Sequence, residues 1–372
     1  MTNGVFMNGA CAVLLALLLA FTLTPAVRAF AYVIGAIDIP RDNRRMHKRP
    51  IPRIGGLSIF AAFVISTLIF CEFNQTLVSI YAGGLLIVVV GIIDDVKPIN
   101  AWVKFAAQIV AASVAVLCGV KLEFINILGE YIHFGYLSIP LTILWIVGLT
   151  NAINLIDGLD GLACGVSAIS SISLFFVTLI KGDAESAIIT AVLAASCLGF
   201  LPFNSNPAKI FMGDTGALFL GYTLAVFSVE GVFKMHTVLA FLIPIAVFAL
   251  PLFDTINAFT RRILKHQSPF TPDKNHLHHK LIEQGFSHKQ SVYIIYAICA
   301  ILGISAVTFS ADHPGKAIMI LAVGFAVLGV YLLLISKYGF NSKQGFGIES
   351  EILEQLSLNY AEDDGRKSNN EQ

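Results

Sequence analysis

Eleven runs of about 20 predominantly apolar residues recur along this chain, and that is the length a bilayer's hydrocarbon core demands of a helix. They lie at approximately 6–27, 55–73, 77–94, 101–119, 138–155, 161–180, 186–203, 214–230, 236–259, 291–310 and 316–336. A segment in lipid must satisfy its own backbone hydrogen bonds, so a chain of this pattern can fold as a helix bundle and as little else. The expected fold is an all-α polytopic membrane protein with about eleven transmembrane helices. Composition agrees, with 56% hydrophobic and 13% charged residues and a mean hydropathy of +0.78, outside the usual range of soluble domains.

The placement of charge orients the spans. No Lys or Arg precedes the first run and Arg28 closes it, so it reads as a retained span and not as a cleaved signal peptide. With the N-terminus outside, alternation puts 19 of the 24 Lys and Arg residues on inner segments and four on outer ones, which also predicts a cytosolic C-terminus. Lys plus Arg equals Asp plus Glu at 24 each, so net charge points to no nucleic-acid partner. The six cysteines are scattered without a CxxC and read as small apolar filler. In the outer loop 120–137 the alternation KLEFINILGEYIHFGYL predicts a small β-hairpin. Residues 1–340 read as one integral membrane domain, and 341–372, ending AEDDGRKSNNEQ, as a polar cytosolic tail of little order.

On this topology every conspicuous polar cluster falls on the inner side. NAINLIDGLDGLACG (151–165) joins two spans, GIIDDVKPIN (91–100) ends another, and FNSNPAKIFMGDTGALFLGY (203–222) joins two more. RDNRRMHKRPIPRIGG (41–56) and RRILKHQSPFTPDKNHLHHKL (261–281) complete the set. Acids at membrane depth are costly and mark function by default. Asp94, Asp95, Asp157, Asp160 and Asp214 offer hard oxygen ligands, and Asn151, Asn154 and Asn204 add amide oxygens, an inventory suited to Mg²⁺ or Mn²⁺. A helical 151–157 would set Asn151, Asn154 and Asp157 along one stripe. A helix beginning at Gly213–Gly216 would present free amides to a phosphate. Arg44, Arg45, His47, Lys48, Arg49, Arg53, Lys104, Lys209, Lys274 and the HLHH histidines could offset two or three phosphates. These residues together suggest a metal-dependent phosphoryl-group enzyme with one water-soluble and one lipid substrate.

Each cluster also has a plainer reading. The loop 41–53 could be a topology anchor beside anionic lipid, and Asp94–Asp95 solvated interface residues. HLHH could be a zinc site through His276 and His279, and Asp254 with Asn257 a structural hydrogen-bonded pair. An ion-coupled transporter would also carry acids among its spans, although nearer mid-membrane, and a scaffold would tolerate their loss.

In order and spacing, the DD after the third span, NAINLIDGLDGLA, FNSNPAKIFMGDTGALFLG and PDKNHLHH resemble the polyprenyl-phosphate N-acetylhexosamine-1-phosphate transferases, the superfamily that includes the phospho-N-acetylmuramoyl-pentapeptide translocase. The resemblance runs from roughly 38 to 281. PDKNHLHH is similar to the branch that uses UDP-GlcNAc with undecaprenyl phosphate, and the three consecutive histidines typical of the muramoyl-pentapeptide branch are missing. The implied reaction joins UDP-GlcNAc and undecaprenyl phosphate into undecaprenyl-diphospho-GlcNAc and UMP, with Mg²⁺. Another UDP-HexNAc or UDP-MurNAc-pentapeptide stays open as donor. By motif position, Asp214 is implied as a metal ligand with Asn154 as a second. Asp94, Asp95, Asp157 and Asp160 are the candidate catalytic carboxylates, the first two beside the lipid phosphate with one of them as base. Asp157, Gly158, Leu159, Asp160 and Phe211 would form the uridine side, with Phe211 stacking on the base and Asn204 supporting it. Lys104 and Gln108 match a KxxxQ pattern, and His276, His278 and His279 would lie near the sugar and diphosphate. Arg45, His47, Lys48, Arg53, Asn151, Lys209 and Lys274 complete the candidate substrate contacts. A bacterial inner membrane with a cytosolic catalytic face is implied, and a homodimer is left open. Direct attack and a covalent aspartyl intermediate are both compatible with this set.

Overall fold

The computed structural model describes residues 2–39, 50–127, 130–230, 242–264 and 277–334. The chain divides into two units, Met1–Leu321 and Ala322–Gln372. The described part of the second is the apolar end of the last helix, and the tail 341–372 lies outside the described residues.

The first unit opens with α1 (Thr2–Ile34), a two-residue antiparallel pairing of β1 (Ile37–Asp38) with β2 (Ile51–Pro52), and α2 (Gly56–Phe70). α3 (Gln75–Val96) and α4 (Ala101–Leu117) follow, then β3 (Phe124–Ile127) paired antiparallel with β4 (Glu130–His133). Next come α5 (Ser138–Ile156), α6 (Leu162–Ile180), α7 (Ala184–Asn204) and α8 (Gly213–Ser228). The last helices are α9 (Leu242–Val247), α10 (Ala249–Leu264), α11 (Leu277–Glu283), α12 (His288–Ser310) and α13 (Pro314–Leu334). Local chemistry sets several starts: Asn74 accepts the Leu77 N–H at 2.7 Å, Asn100 that of Trp102 at 2.9 Å, and Asp183 that of Ser186 at 3.0 Å.

Seven helices among the described residues are long and apolar enough to cross a membrane, and α2 and α4 are shorter apolar helices. This is a multi-pass helical membrane protein. The element boundaries differ from the hydropathy reading in two places. α1 runs on past Arg28 to Ile34, and the run 236–259 is not one helix: its described part breaks at Phe248 into α9 and α10. Pro251 has no N–H to bond the Val247 carbonyl, which interrupts the ladder there.

α8 is the hub. All of its residues except Asp214 are buried, so it is apolar on every side, as a helix surrounded by helices must be. Lipid tails are as apolar as Leu, so association in a membrane depends on close packing, which small residues permit. A Cβ on Gly56 of α2 would overlap the Cα of Gly216, and one on Gly91 of α3 would overlap the Thr215 backbone. Two helices therefore touch α8 backbone to backbone near its amino end. Farther along, the Tyr222 hydroxyl donates to the Ser79 carbonyl at 2.9 Å and lies 3.2 Å from that of Ala111, tying α8 to α3 and α4.

Gly56→Val should destabilise the protein in detergent by about 1–3 kcal/mol or prevent its folding, because neither backbone can yield. Gly148→Ala on α5, where a Cβ meets open space, should not lower the thermal unfolding midpoint. Melting of both purified variants checks the contrast.

Candidate active site

The polar end of the bundle is organised around the start of α8. A helix leaves its first amides without intrahelical partners, and Met212 supplies no side-chain cap. Asp95, near the end of α3, supplies one from across the interface. Its Oδ1 accepts the Asp214 N–H at 3.1 Å, and its Oδ2 accepts the Thr215 N–H at 3.0 Å and the Thr215 hydroxyl at 2.7 Å. Arg53 stands 3.4 Å from Oδ1, and Asp95 is only 5% exposed. An anion at this position also meets the positive end of the helix dipole. The expectation of free amides for a phosphate here is therefore corrected at Asp214 and Thr215, whose N–H groups are engaged by a carboxylate.

Asp94 faces the other way. It accepts the Ile99 N–H at 2.9 Å and an Nζ–H of Lys104 at 3.1 Å, while Lys104 also reaches Asp214 Oδ2 at 2.9 Å. One lysine thus spans the DD motif and the aspartate that begins α8. Gly213, at φ +73, has no room for a side chain, since a Cβ would overlap the Arg53 carbonyl and Asp95 Oδ2. Backbone bonds complete the join: the Phe211 N–H donates to the Pro52 carbonyl, and the Gly55 and Gly56 N–H groups donate to Phe211 and Met212.

The second part of the site is the turn between α5 and α6. α5 stops at Ile156, Asp157 leaves helical geometry, and Gly161 takes φ +79 to start α6. Gly158 is needed for a neighbour: a Cβ there would overlap the ring of His278, which is buried on α11. Asp160 Oδ2 accepts the Asn206 side-chain N–H and the Ala208 backbone N–H, both at 3.0 Å, so this turn holds the loop between α7 and α8. Asn204, 2% exposed, donates to the Ile210 carbonyl at 3.1 Å, and its Oδ1 is buried with no donor among the described residues.

These pieces enclose a cavity of about 960 Å³, at the upper end of the range for small-molecule sites. Of the expected residues, Arg53, Lys104, Asn154, Asp157, Gly158, Leu159, Asp160, Asn204, Lys209, Phe211, Asp214 and His279 line it. Asp94, Asp95, Gln108, Asn151 and His278 are not among its described lining. Asn151 is instead paired with Gln108, each side chain donating to the other, so the stripe of three has two members at the cavity. Arg45, His47, Lys48, Lys274 and His276 lie outside the described residues. Asp254, read as a structural group, accepts the Leu277 N–H at 3.0 Å and fastens α11 to α10.

Three ionisable lining residues escaped the sequence reading of the site: Arg28, Asp38 and His288. Arg28 and Asp38 carry no local signal. His288 had one, because SHKQ is a capping box in which Ser287 and Gln290 bond each other reciprocally at the start of α12.

Four cations, Arg28, Arg53, Lys104 and Lys209, face four carboxylates, Asp38, Asp157, Asp160 and Asp214, around this space. Burial pushes the Asp157 carboxyl up to about 8, with Asp214 and Asp95 adding to the rise and Arg53 opposing it. Among the described residues no three His, Cys, Asp or Glu side chains form a ready metal cluster. Asp214, Asp157 and the Asn154 amide, which line the cavity, nonetheless offer only hard oxygen donors, which fits a hard divalent cation.

Residues 77–232 match the family described as glycosyl transferase family 4. The chain is 44% identical over 299 residues to a probable undecaprenyl-phosphate N-acetylglucosaminyl 1-phosphate transferase of Bacillus subtilis, covering 80% of this chain and 83% of that one. It is 35% identical over 353 residues to a decaprenyl-phosphate N-acetylglucosaminephosphotransferase of Mycolicibacterium smegmatis, covering 86% and 87%. With an undecaprenyl-phosphate alpha-N-acetylglucosaminyl 1-phosphate transferase of Escherichia coli K12 the identity is 28% over 335 residues, again covering 86% and 87%.

Asp95→Ala should cost about 3–5 kcal/mol of stability, because it leaves two buried amides and Arg53 without their acceptor. Thr215→Val, which removes one hydroxyl donor, should cost about 1.5 kcal/mol. Thermal or denaturant unfolding of the two variants in detergent checks both values and their order.

Proposed function

The chain belongs to glycosyl transferase family 4, and on that premise we propose that it transfers GlcNAc-1-phosphate from UDP-GlcNAc to a polyprenyl phosphate, releasing UMP. The observation that carries this reading is the composition of the cavity wall. Asn204, whose buried amide oxygen has no donor among the described residues, and Phe211 both line a cavity that also contains Arg53, Lys104 and Lys209. A polyprenyl phosphate has no N–H to give Asn204, whereas a uracil does, and an aromatic ring suits a base face. The cations suit a diphosphate.

In the reaction an oxygen of the lipid phosphate attacks the β-phosphorus of UDP-GlcNAc. The new P–O bond forms as the bond to the bridging oxygen breaks, and that electron pair leaves with UMP. A phosphate monoester has a second pKa of about 6, so the attacking oxygen is already largely ionised at neutral pH and needs little base catalysis. The protein's task is positioning and charge balance. Lys104, held between Asp94 and Asp214, and Arg53, held by Asp95, present fixed positive charge at the start of α8. Asp214 with Asn154, and Asp157 beside them, would hold Mg²⁺. When bound, that ion supplies charge neutralisation for the diphosphate and the leaving phosphate. Asp157 and Asp160 shape the nucleotide side, Gly158 lets His278 approach, and His279 faces the sugar and diphosphate.

The finer assignments follow the same reading. The acceptor is undecaprenyl phosphate. Eleven crossings with the N-terminus outside put the cavity on the cytosolic face of a bacterial inner membrane, where a water-soluble donor meets a lipid acceptor. The excess of Lys and Arg on the inner segments supports that orientation.

UMP release by purified protein with undecaprenyl phosphate and Mg²⁺ tests the proposal, with UDP-GlcNAc, UDP-GalNAc and UDP-MurNAc-pentapeptide offered separately. Turnover is expected with UDP-GlcNAc alone, lost on chelation, restored by Mg²⁺, and lowered at least about 100-fold by Asp214→Asn. Turnover only with another donor, or undiminished turnover after chelation, would refute the substrate or the cofactor respectively.

A further inference from the structure

The turn that carries Asp157 and Gly158 is held from outside by α12, which lies beyond the residues matched to the family. His288 is the first residue of that helix, and the Ser287–Gln290 capping box fixes its backbone. Its Nε2 accepts the Asp160 backbone N–H at 2.9 Å. The imidazole is therefore the tautomer protonated on Nδ1, because an accepting nitrogen cannot carry the proton. Two turns farther along α12, the Tyr296 hydroxyl donates to the carbonyl of Gly161, the next residue of the turn. Asp160 in its turn accepts from Asn206 and Ala208. A continuous chain of hydrogen bonds thus runs from the start of α12, through Asp160, to the loop that leads to Phe211.

We infer that His288 is a positioning residue for the sugar-nucleotide donor, fixing through Asp160 the wall against which that donor binds. The inference rests on the function proposed above and on its placement of the nucleotide beside Asn204 and Phe211. His288 and Asp160 both line the cavity. A backbone amide engaged by His288 cannot rotate toward solvent, so Asp160 keeps its carboxylate on the 206–208 loop. Without that acceptor the turn gains freedom, and the donor must order it on binding. No corresponding bond ties His288 to the DD motif or to Lys104 among the described contacts, so the lipid phosphate should be indifferent to its loss.

Steady-state UMP release by His288→Ala, His288→Asn and His288→Gln tests this, varying UDP-GlcNAc at saturating undecaprenyl phosphate and then the reverse. The Oε1 of Gln takes the place of Nε2, whereas the Oδ1 of Asn takes that of Nδ1. The expected result is a donor KM raised about tenfold in the Ala and Asn variants, the loss of one well-placed hydrogen bond. The acceptor KM should stay within about twofold, and Gln should return the donor KM to within about threefold of wild type. Equal donor KM in all four proteins, a Gln variant as impaired as Ala, or an acceptor KM rising in step with the donor KM overturns the assignment. A wild-type protein that releases no UMP from UDP-GlcNAc overturns the function on which it rests, and the assignment with it.

Discussion

Asp95 reaches from the end of α3 to the start of α8 and accepts two amides and a hydroxyl there, with Arg53 beside it. A helix end buried in a low-dielectric bundle cannot leave its amides bare, so this contact is a condition for α8 to lie at the centre. Much else depends on α8 being there. α2 and α3 meet it through Gly56 and Gly91, Tyr222 pins it to α3 and α4, and Asp214 on its first turn is presented to the cavity.

The same arrangement explains how so many charges coexist at the end of an apolar bundle. Asp95 faces Arg53, while Asp94 and Asp214 share Lys104, so three carboxylates are matched by two cations tied to different segments of chain. Among the described residues Asp157 has no ion pair of this kind, and burial, with Asp214 and Asp95 nearby, raises its pKa. A diphosphate with a divalent cation would bring both signs of charge into this network.

Much of this was legible in the chain. The polar clusters at 151–165 and 203–222 meet at the cavity, and 91–100 joins them through the Asp95 bonds to Asp214 and Thr215, as apolar runs of similar length that end together would allow. Pattern alone could not distinguish residues that border the cavity from those that build it. Asp94, Asp95, Gln108 and Asn151 stand out in sequence, and in the fold Asp94 bonds the Ile99 amide and Lys104, Asp95 bonds the start of α8, and Gln108 and Asn151 bond each other. His288 is the converse case: it lies outside the conspicuous motifs but lines the cavity. The break at Phe248 had a visible cause in Pro251, but a hydropathy window averages over it.

Helical class, the approximate spans and the chemical character of the site are local properties. They follow from run length, the cost of unsatisfied backbone in lipid, and the expense of an acid at membrane depth, each of which a short window of residues expresses. Which acid meets which base is not local. Asp95 and Thr215 are 120 positions apart, and Asp160 and His288 are 128, and no spacing rule links residues on different helices. Those pairings depend on which helices pack together and at what rotation, which small residues such as Gly56, Gly91 and Gly216 settle through backbone contact in three dimensions.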